Sequence, residues 1–253
     1  MSNFIVPDWP APRSVRTLVT TRRGGVSEAP WASFNLGEYV GDAPSAVAEN
    51  RRRLHELLPD EPKWLRQVHG TKCVDAALVK SPIEADASFT RQSGTVCVVQ
   101  TADCLPVFFC DEKASVVAVA HAGWRGLAAG VLESTVQAMQ VNPERLLAWL
   151  GPAIGPNKFE VGDEVRAVFV AHEAQASQAF VPTTKGKWLA DIYTLARMRL
   201  AAAGIQRIGV PRSGNLAMQS YSTNWCTVSQ PEHFFSYRRD GVTGRMASCI
   251  WLE

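Results

Sequence analysis

Short apolar runs separated by polar turns dominate the first 150 residues, and each run is brief enough to be a strand. Residues 14–21 (SVRTLVTT) read as a strand, and the polar, glycine-containing stretch 22–35 reads as a loop. A helix is expected over 44–58, with Asp42 ahead of it and Ala46, Val47, Leu54 and Leu57 on its apolar face. Strands follow at 63–68, 87–90, 95–101, 105–110 and 115–120, the last two joined as a hairpin by Asp111-Glu112-Lys113-Ala114. A helix is expected over 124–140, stopping before Asn142-Pro143, and 146–150 reads as a buried strand.

The second half predicts helices at 163–171 and 191–203, the latter stopped by Gly204, then a strand at 205–210. Residues 212–224 read as a loop, and 234–252 as a terminal hairpin turning at Asp240-Gly241. Arg238, Arg239 and Arg245 would then form a polar edge around that turn. No linker, charge run or repeat divides the chain, so residues 1–253 are expected to form a single domain. Strands outnumber helices and adjoin one another. Strict βαβ alternation therefore fails, and the pattern predicts an α+β fold.

Composition narrows the functional classes. With 46% hydrophobic and 20% charged residues, the chain has an ordinary soluble composition. A net charge of +2 is too balanced for charge-driven binding to nucleic acid or acidic membranes. The N-terminus lacks a basic leader, its apolar run 4–6 ends at Pro7 and Asp8, and no window approaches the ~18 apolar residues of a membrane span. A cytoplasmic location with reduced cysteines is the expectation. Six cysteines without C-x-x-C pairing do not make a disulfide scaffold, and five histidines exclude chemistry that needs many imidazoles.

Three of these side chains fall where apolar strands are expected to end. His69 follows Trp64-Leu65-Arg66-Gln67-Val68, Cys104 follows the run that begins at Val96, and His121 follows Val116-Val117-Ala118-Val119-Ala120. Two imidazoles and one thiolate suit Zn²⁺, and the want of an obvious fourth ligand favours an open coordination position. Spacing alone also allows the bland alternative, in which Cys104 is a small core residue and the histidines are structural. Cys97 and Cys110 lie inside apolar runs and read as core. Cys73 and Cys249 lie in strand-like segments, His55 on a solvated helix face and His172 at a helix end.

The motifs around these residues add a resemblance. Gln67-Val68-His69-Gly70, Thr101-Ala102-Asp103-Cys104-Leu105-Pro106 and His121-Ala122-Gly123-Trp124-Arg125-Gly126 resemble those of the laccase-domain, or multifunctional purine nucleoside phosphorylase, family. Its bacterial members are also called polyphenol oxidase and peptidoglycan editing factor. The likeness extends to Thr21-Arg22-Arg23-Gly24-Gly25-Val26-Ser27, Phe34-Asn35-Leu36-Gly37, Gly41-Asp42 and Asn50-Arg51. It continues through Gly151-Pro152-Ala153-Ile154-Gly155, Cys226-Thr227, Phe235-Ser236-Tyr237-Arg238-Arg239-Asp240 and Thr243-Gly244-Arg245. The stretch 209–225 is longer than the family's usual approach to the Cys-Thr pair.

The resemblance implies a single-domain α/β/β/α sandwich with mixed β-sheets. It also implies phosphorolysis of adenosine, inosine and related nucleosides to base and ribose 1-phosphate, with adenosine deamination beside it. His69, Cys104 and His121 would be both the catalytic and the metal-binding set, holding Zn²⁺ with a water at the fourth position. Asn35, Arg51 and Arg125 would contact sugar, base or phosphate. A multicopper laccase is excluded by five histidines with no H-x-H pair, although Cu²⁺ can compete for a His₂Cys site and support weak phenol oxidation. The alternative is an amide hydrolase with Cys104 as nucleophile, correcting mis-loaded cell-wall nucleotide precursors such as UDP-muramoyl-serine. A third reading, a binding module with a closed structural metal, would need Cys226 or His233 as a fourth ligand.

Overall fold

Burial with period two organises the core, because successive side chains of a strand face opposite sides of its sheet. In β8 (Leu105–Asp111), Leu105, Val107 and Phe109 enter one hydrophobic cluster while Phe108 and Cys110 enter another. In β9 (Val117–Ala122) the split is Ala118, Ala120 and Ala122 against Val117 and Val119, and in β10 (Leu146–Leu150) it is Leu146, Ala148 and Leu150 against Leu147 and Trp149. Strands buried on both faces read as continuous apolar runs, which is why the sequence shows them so clearly. The computed structural model describes residues 3–209 and 225–253.

These strands belong to a six-stranded mixed sheet of order β14 (Arg207–Ile208), β10, β8, β9, β6 (Ala87–Thr90) and β4 (Cys73–Asp75). A four-stranded antiparallel sheet has the order β1 (Phe4–Ile5), β2 (Val15–Thr20), β15 (Met246–Leu252) and β7 (Cys97–Thr101). Between the two sheets Val19, Val99 and Ile250 of the second pack on Phe108, Val117, Val119 and Trp149 of the first. Outside the four-stranded sheet, Val98 and Cys249 meet Leu54 of α1 (Pro44–His55). Outside the six-stranded sheet lie α2 (Trp124–Ala129), α3 (Val131–Met139), α4 (Asp163–His172) and α5 (Ile192–Ala202), which contribute Leu127, Leu132, Phe169 and Leu195 to the shared core. The layers run α/β/β/α, as the resemblance implied. Two small sheets complete the fold: β11 (Glu160–Gly162), β13 (Lys187–Ala190) and β12 (Phe180–Pro182), and the pair β3 (Leu65–Arg66) with β5 (Ile83–Glu84).

The structure corrects several sequence expectations. The helix expected over 124–140 is two helices, because Gly130 adopts a left-handed φ of 104° and its N–H closes on the Gly126 and Leu127 carbonyls. The terminal hairpin does not form. Ser236 instead caps a four-residue helix, α6 (Tyr237–Asp240), by accepting the Arg239 N–H, and β15 runs alone between β2 and β7. Leu57 lies beyond the end of α1 and is 44% exposed, so it is no part of the apolar face. Of the strand expected at 63–68, Leu65–Arg66 pairs with β5 and Lys63 makes a single parallel bridge to Cys97. Of the long approach to Cys226 expected at 209–225, residues 210–224 lie outside the described residues, as does the loop expected at 212–224.

Candidate functional site

One end of the sandwich gathers the three candidate ligands, His69 and Cys104 from connections and His121 from within a strand. His121 is the penultimate pairing residue of β9, not a residue beyond it, and Val117, Val119 and His121 share the inter-sheet face. Its side chain is buried, whereas His69 is exposed and Cys104 half-buried. His69 and Asp103, the residue before Cys104, both take left-handed backbone angles, with φ of 59° and 93°. Such conformations cost about 1–3 kcal/mol for residues with a Cβ and persist only where their surroundings impose them. Here the surroundings are visible. Asp103 accepts the Thr227 hydroxyl at 2.5 Å and the Arg238 N–H at 2.7 Å, and its carbonyl accepts the Ile154 N–H.

Asp86 fixes the other two ligands, and no sequence motif announced it. Its fully buried carboxylate accepts the backbone N–H groups of Val68, His69 and Gly70 at 2.7–3.1 Å, and the Nδ1–H of His121 at 2.8 Å. Burial pushes the Asp86 pKa up, but the His121 and backbone donors outweigh it and hold the carboxyl below its ordinary value. One side chain therefore orients the His69 loop and turns the Nε2 of His121 toward Cys104. The only sequence signal was a lone carboxylate between alanines at the start of an apolar strand. Gln67 adds a second clamp, donating to the Gln100 carbonyl and accepting its N–H.

The ligand atoms of His69, Cys104 and His121 all lie within 4.8 Å of one another, and among the described residues no other His/Cys/Asp/Glu group of this kind occurs. The Cys104 sulfur is 3.7 Å from His69 Nε2, and the two rings meet edge to face at 4.8 Å. A Cβ on Gly123 would come within 2.7 Å of His69 Cδ2 and 2.9 Å of Cys104 Sγ, so only glycine leaves the ligands room. Burial opposes charge at both inner groups, yet the charge of His121 and the hydrogen bonds of both imidazoles bring the Cys104 thiol down to about 6. Burial likewise lowers His121, but the thiolate and Asp86 prevail and raise it to about 9. A thiolate, two imidazoles and a carboxylate behind one of them fit a metal ion such as zinc, bound on one side and open on the other.

The open side faces a cavity of about 670 Å³. Arg125 lines it, its guanidinium stacked 4.5 Å from the Trp124 ring centroid. Asn35 and Arg51 stand behind its wall. The Asn35 amide donates to Gly37 O and Asp42 Oδ2, while its oxygen accepts the Gly37 and Arg245 N–H groups. Arg51 holds the Leu36 carbonyl and Glu38 and stacks 4.0 Å from the Trp64 ring. Both residues shape the 37–40 wall without facing the cavity. The sequence missed Arg238 and Arg245, which line the cavity because no hairpin forms there. Cys226 accepts the Gly155 N–H, His233 lies beside Glu232, and neither joins the cluster. Cys97, Cys110 and Cys249 are fully buried core residues, with His55 exposed on α1 and His172 ending α4.

Comparison with known proteins places this site in context. Residues 16–253 match a family model described as multi-copper polyphenol oxidoreductase laccase. A Pseudomonas aeruginosa protein named purine nucleoside phosphorylase is 52% identical over 254 residues, covering all of both chains. The Escherichia coli K12 protein YfiH, also named purine nucleoside phosphorylase, is 52% identical with the same full coverage. The crystal structure of a Neisseria meningitidis protein superposes with a TM-score of 0.91 at 47% identity over all of both chains. Among the described residues no helix is long and apolar enough to cross a membrane.

Proposed function

Because the chain belongs to the multi-copper polyphenol oxidoreductase laccase family, we propose that its cleft performs the reaction for which its relatives are named, phosphorolysis of purine nucleosides. The observation that carries this reading is the His69, Cys104 and His121 group on the floor of a small-molecule cavity. About 670 Å³ is within the range of small-ligand pockets and leaves space for a nucleoside and a phosphate together. The family's copper label is not supported by the ligand inventory, since five histidines supply one such group among the described residues.

In the reaction a phosphate oxygen bonds to ribose C1′ as the C1′–N9 bond breaks. The bonding pair leaves on the purine, which takes the proton of hydrogen phosphate, and the products are base and ribose 1-phosphate. A zinc ion held by His69, Cys104 and His121 would supply a Lewis acid at the cleft floor. Asp86 holds Nδ1 of His121 and so aims its Nε2 at the ligand cluster, and Gln67 with Gly123 keeps His69 and Cys104 in register. Tyr39 and Tyr237, exposed at 85% and 62%, offer ring faces at the cavity wall for a purine. Adenosine deamination as a side activity, and weak phenol oxidation with copper bound, belong to the same reading.

Purified metal-loaded protein is expected to release ribose 1-phosphate from inosine or adenosine only when phosphate is supplied. Full activity of Cys104→Ser protein would overturn the reading. The depressed Cys104 thiol favours a second one, an amide hydrolase with Cys104 as nucleophile and an imidazole as base. Release of serine from UDP-muramoyl-serine by metal-stripped protein would support that alternative over phosphorolysis.

A further inference from the structure

The charges around the cavity do not balance locally. Four guanidiniums line it, those of Arg66, Arg125, Arg238 and Arg245, against the carboxylates of Glu38 and Asp103. Arg66 pairs with Glu84 at 3.2 Å, and Glu38 pairs with Arg51 behind the wall. Both Asp103 oxygens are occupied, one by the Thr227 hydroxyl and one by the Arg238 backbone N–H. Arg125, Arg238 and Arg245 have no carboxylate partner among the described residues, and residues 210–224 contain no Asp or Glu.

Two of these three are held in place by backbone contacts. Arg245 Nη1 donates to the Thr243 and Gly244 carbonyls, which leaves Nε and Nη2 without protein partners among the described residues. A Cβ on Gly37 would come within 2.8 Å of Arg245 Cγ, so glycine lets the arginine stem lie against the 37–40 wall. Arg238 Nη1 donates to the Glu160 carbonyl, its guanidinium lies 5.6 Å from the Phe159 ring centroid, and its backbone is tied to the residue before Cys104. Arg125 stacks on Trp124 and has no hydrogen-bond or ion-pair partner among the described residues. Arg245 is half-buried, so its free N–H donors are best satisfied by an anion, while the exposed Arg125 and Arg238 add positive charge at the same wall.

We propose that Arg238 and Arg245, with Arg125 from the α2 side, form an oxyanion subsite that takes inorganic phosphate beside the His69, Cys104 and His121 floor. This assignment rests on the phosphorolysis reading for its role in turnover, but the binding itself is independent of it. Forked N–H donors match a tetrahedral dianion, and planar guanidiniums bind it in more than one direction. The subsite would present the attacking oxygen to ribose C1′, while the purine occupies the Tyr39 end.

The test titrates inorganic phosphate into metal-loaded wild-type protein by calorimetry, without nucleoside, and then into Arg245→Gln, Arg238→Gln and the double variant. Each single change is expected to weaken phosphate binding about tenfold, with unchanged metal content and thermal melting. In turnover the KM for phosphate rises and the KM for inosine does not. Arg245→Lys, which keeps the charge and loses the fork, separates recognition from folding and should bind phosphate with intermediate affinity. Unchanged phosphate affinity in the folded double variant, or an equal loss for inosine and phosphate, would overturn the subsite. Arg-dependent phosphate binding without ribose 1-phosphate formation would uphold the subsite and overturn phosphorolysis. Phosphorolysis with undiminished phosphate affinity in the variants would do the reverse.

Discussion

The two ends of β8 each carry a buried aspartate, and they are built differently. At its far end Asp111 accepts the Lys113, Ser115 and Val116 N–H groups and the Ser115 hydroxyl, all from its own turn. At its near end Asp103 reaches Thr227 and Arg238, more than 120 residues away along the chain. Asp86 behaves like Asp103, joining the His69 loop to the end of β9. One end of the sandwich is a self-contained turn, and the other is assembled from segments brought together by the fold. Local satisfaction serves stability. Long-range satisfaction of this kind holds side chains in place for chemistry.

Replacing Cys104 with alanine should have the largest effect, lowering metal affinity and turnover by at least about 100-fold, since even outer partners of metal ligands are worth 10–100-fold. Its melting temperature in the metal-free state should stay close to wild type, which differential scanning calorimetry checks. Next comes Asp86→Asn, which keeps the shape but loses the carboxylate behind His121. Zinc affinity measured by competition with a chromophoric chelator should fall about 10–100-fold.

The smallest effect on activity should come from Asp111→Asn at the self-contained end. Turnover is expected to be unchanged while stability at pH 7 falls by about 1–3 kcal/mol, from losing hydrogen bonds to a charged group. Burial raises the Asp111 pKa, but the Val116 and Ser115 donors outweigh it and hold it below the ordinary value. A depressed folded-state pKa gives stability that is present above the unfolded value, about 3.9, and is lost as pH falls through the folded value. The difference between wild type and Asp111→Asn should therefore shrink below about pH 4, as urea unfolding at several pH values would show. A large activity loss in Asp111→Asn would break the contrast between the two ends.

The same contrast explains what the sequence disclosed. The strands 105–110, 115–120 and 146–150 were legible because they are buried on both faces, so their apolar runs are unbroken. The Asp111 turn was legible because its partners are sequence neighbours. His69, Cys104 and His121 were singled out by residue type at expected strand ends, although His121 proved to be inside its strand. Asp86 was not legible, since its role lies in four bonds to two distant segments. Arg238 and Arg245 read as a polar edge in the sequence because the apolar pattern of 234–252 suits a hairpin as well as a capped turn and one strand. Asn35 and Arg51 carried motif signals, and the structure gives them framework roles.

The most direct test of the central claim is the metal content of gently purified protein. Elemental analysis should find close to one zinc ion per chain in wild type and a large loss in both Cys104→Ser and His121→Ala. Wild-type protein that releases ribose 1-phosphate from inosine at full rate with no bound metal would contradict it.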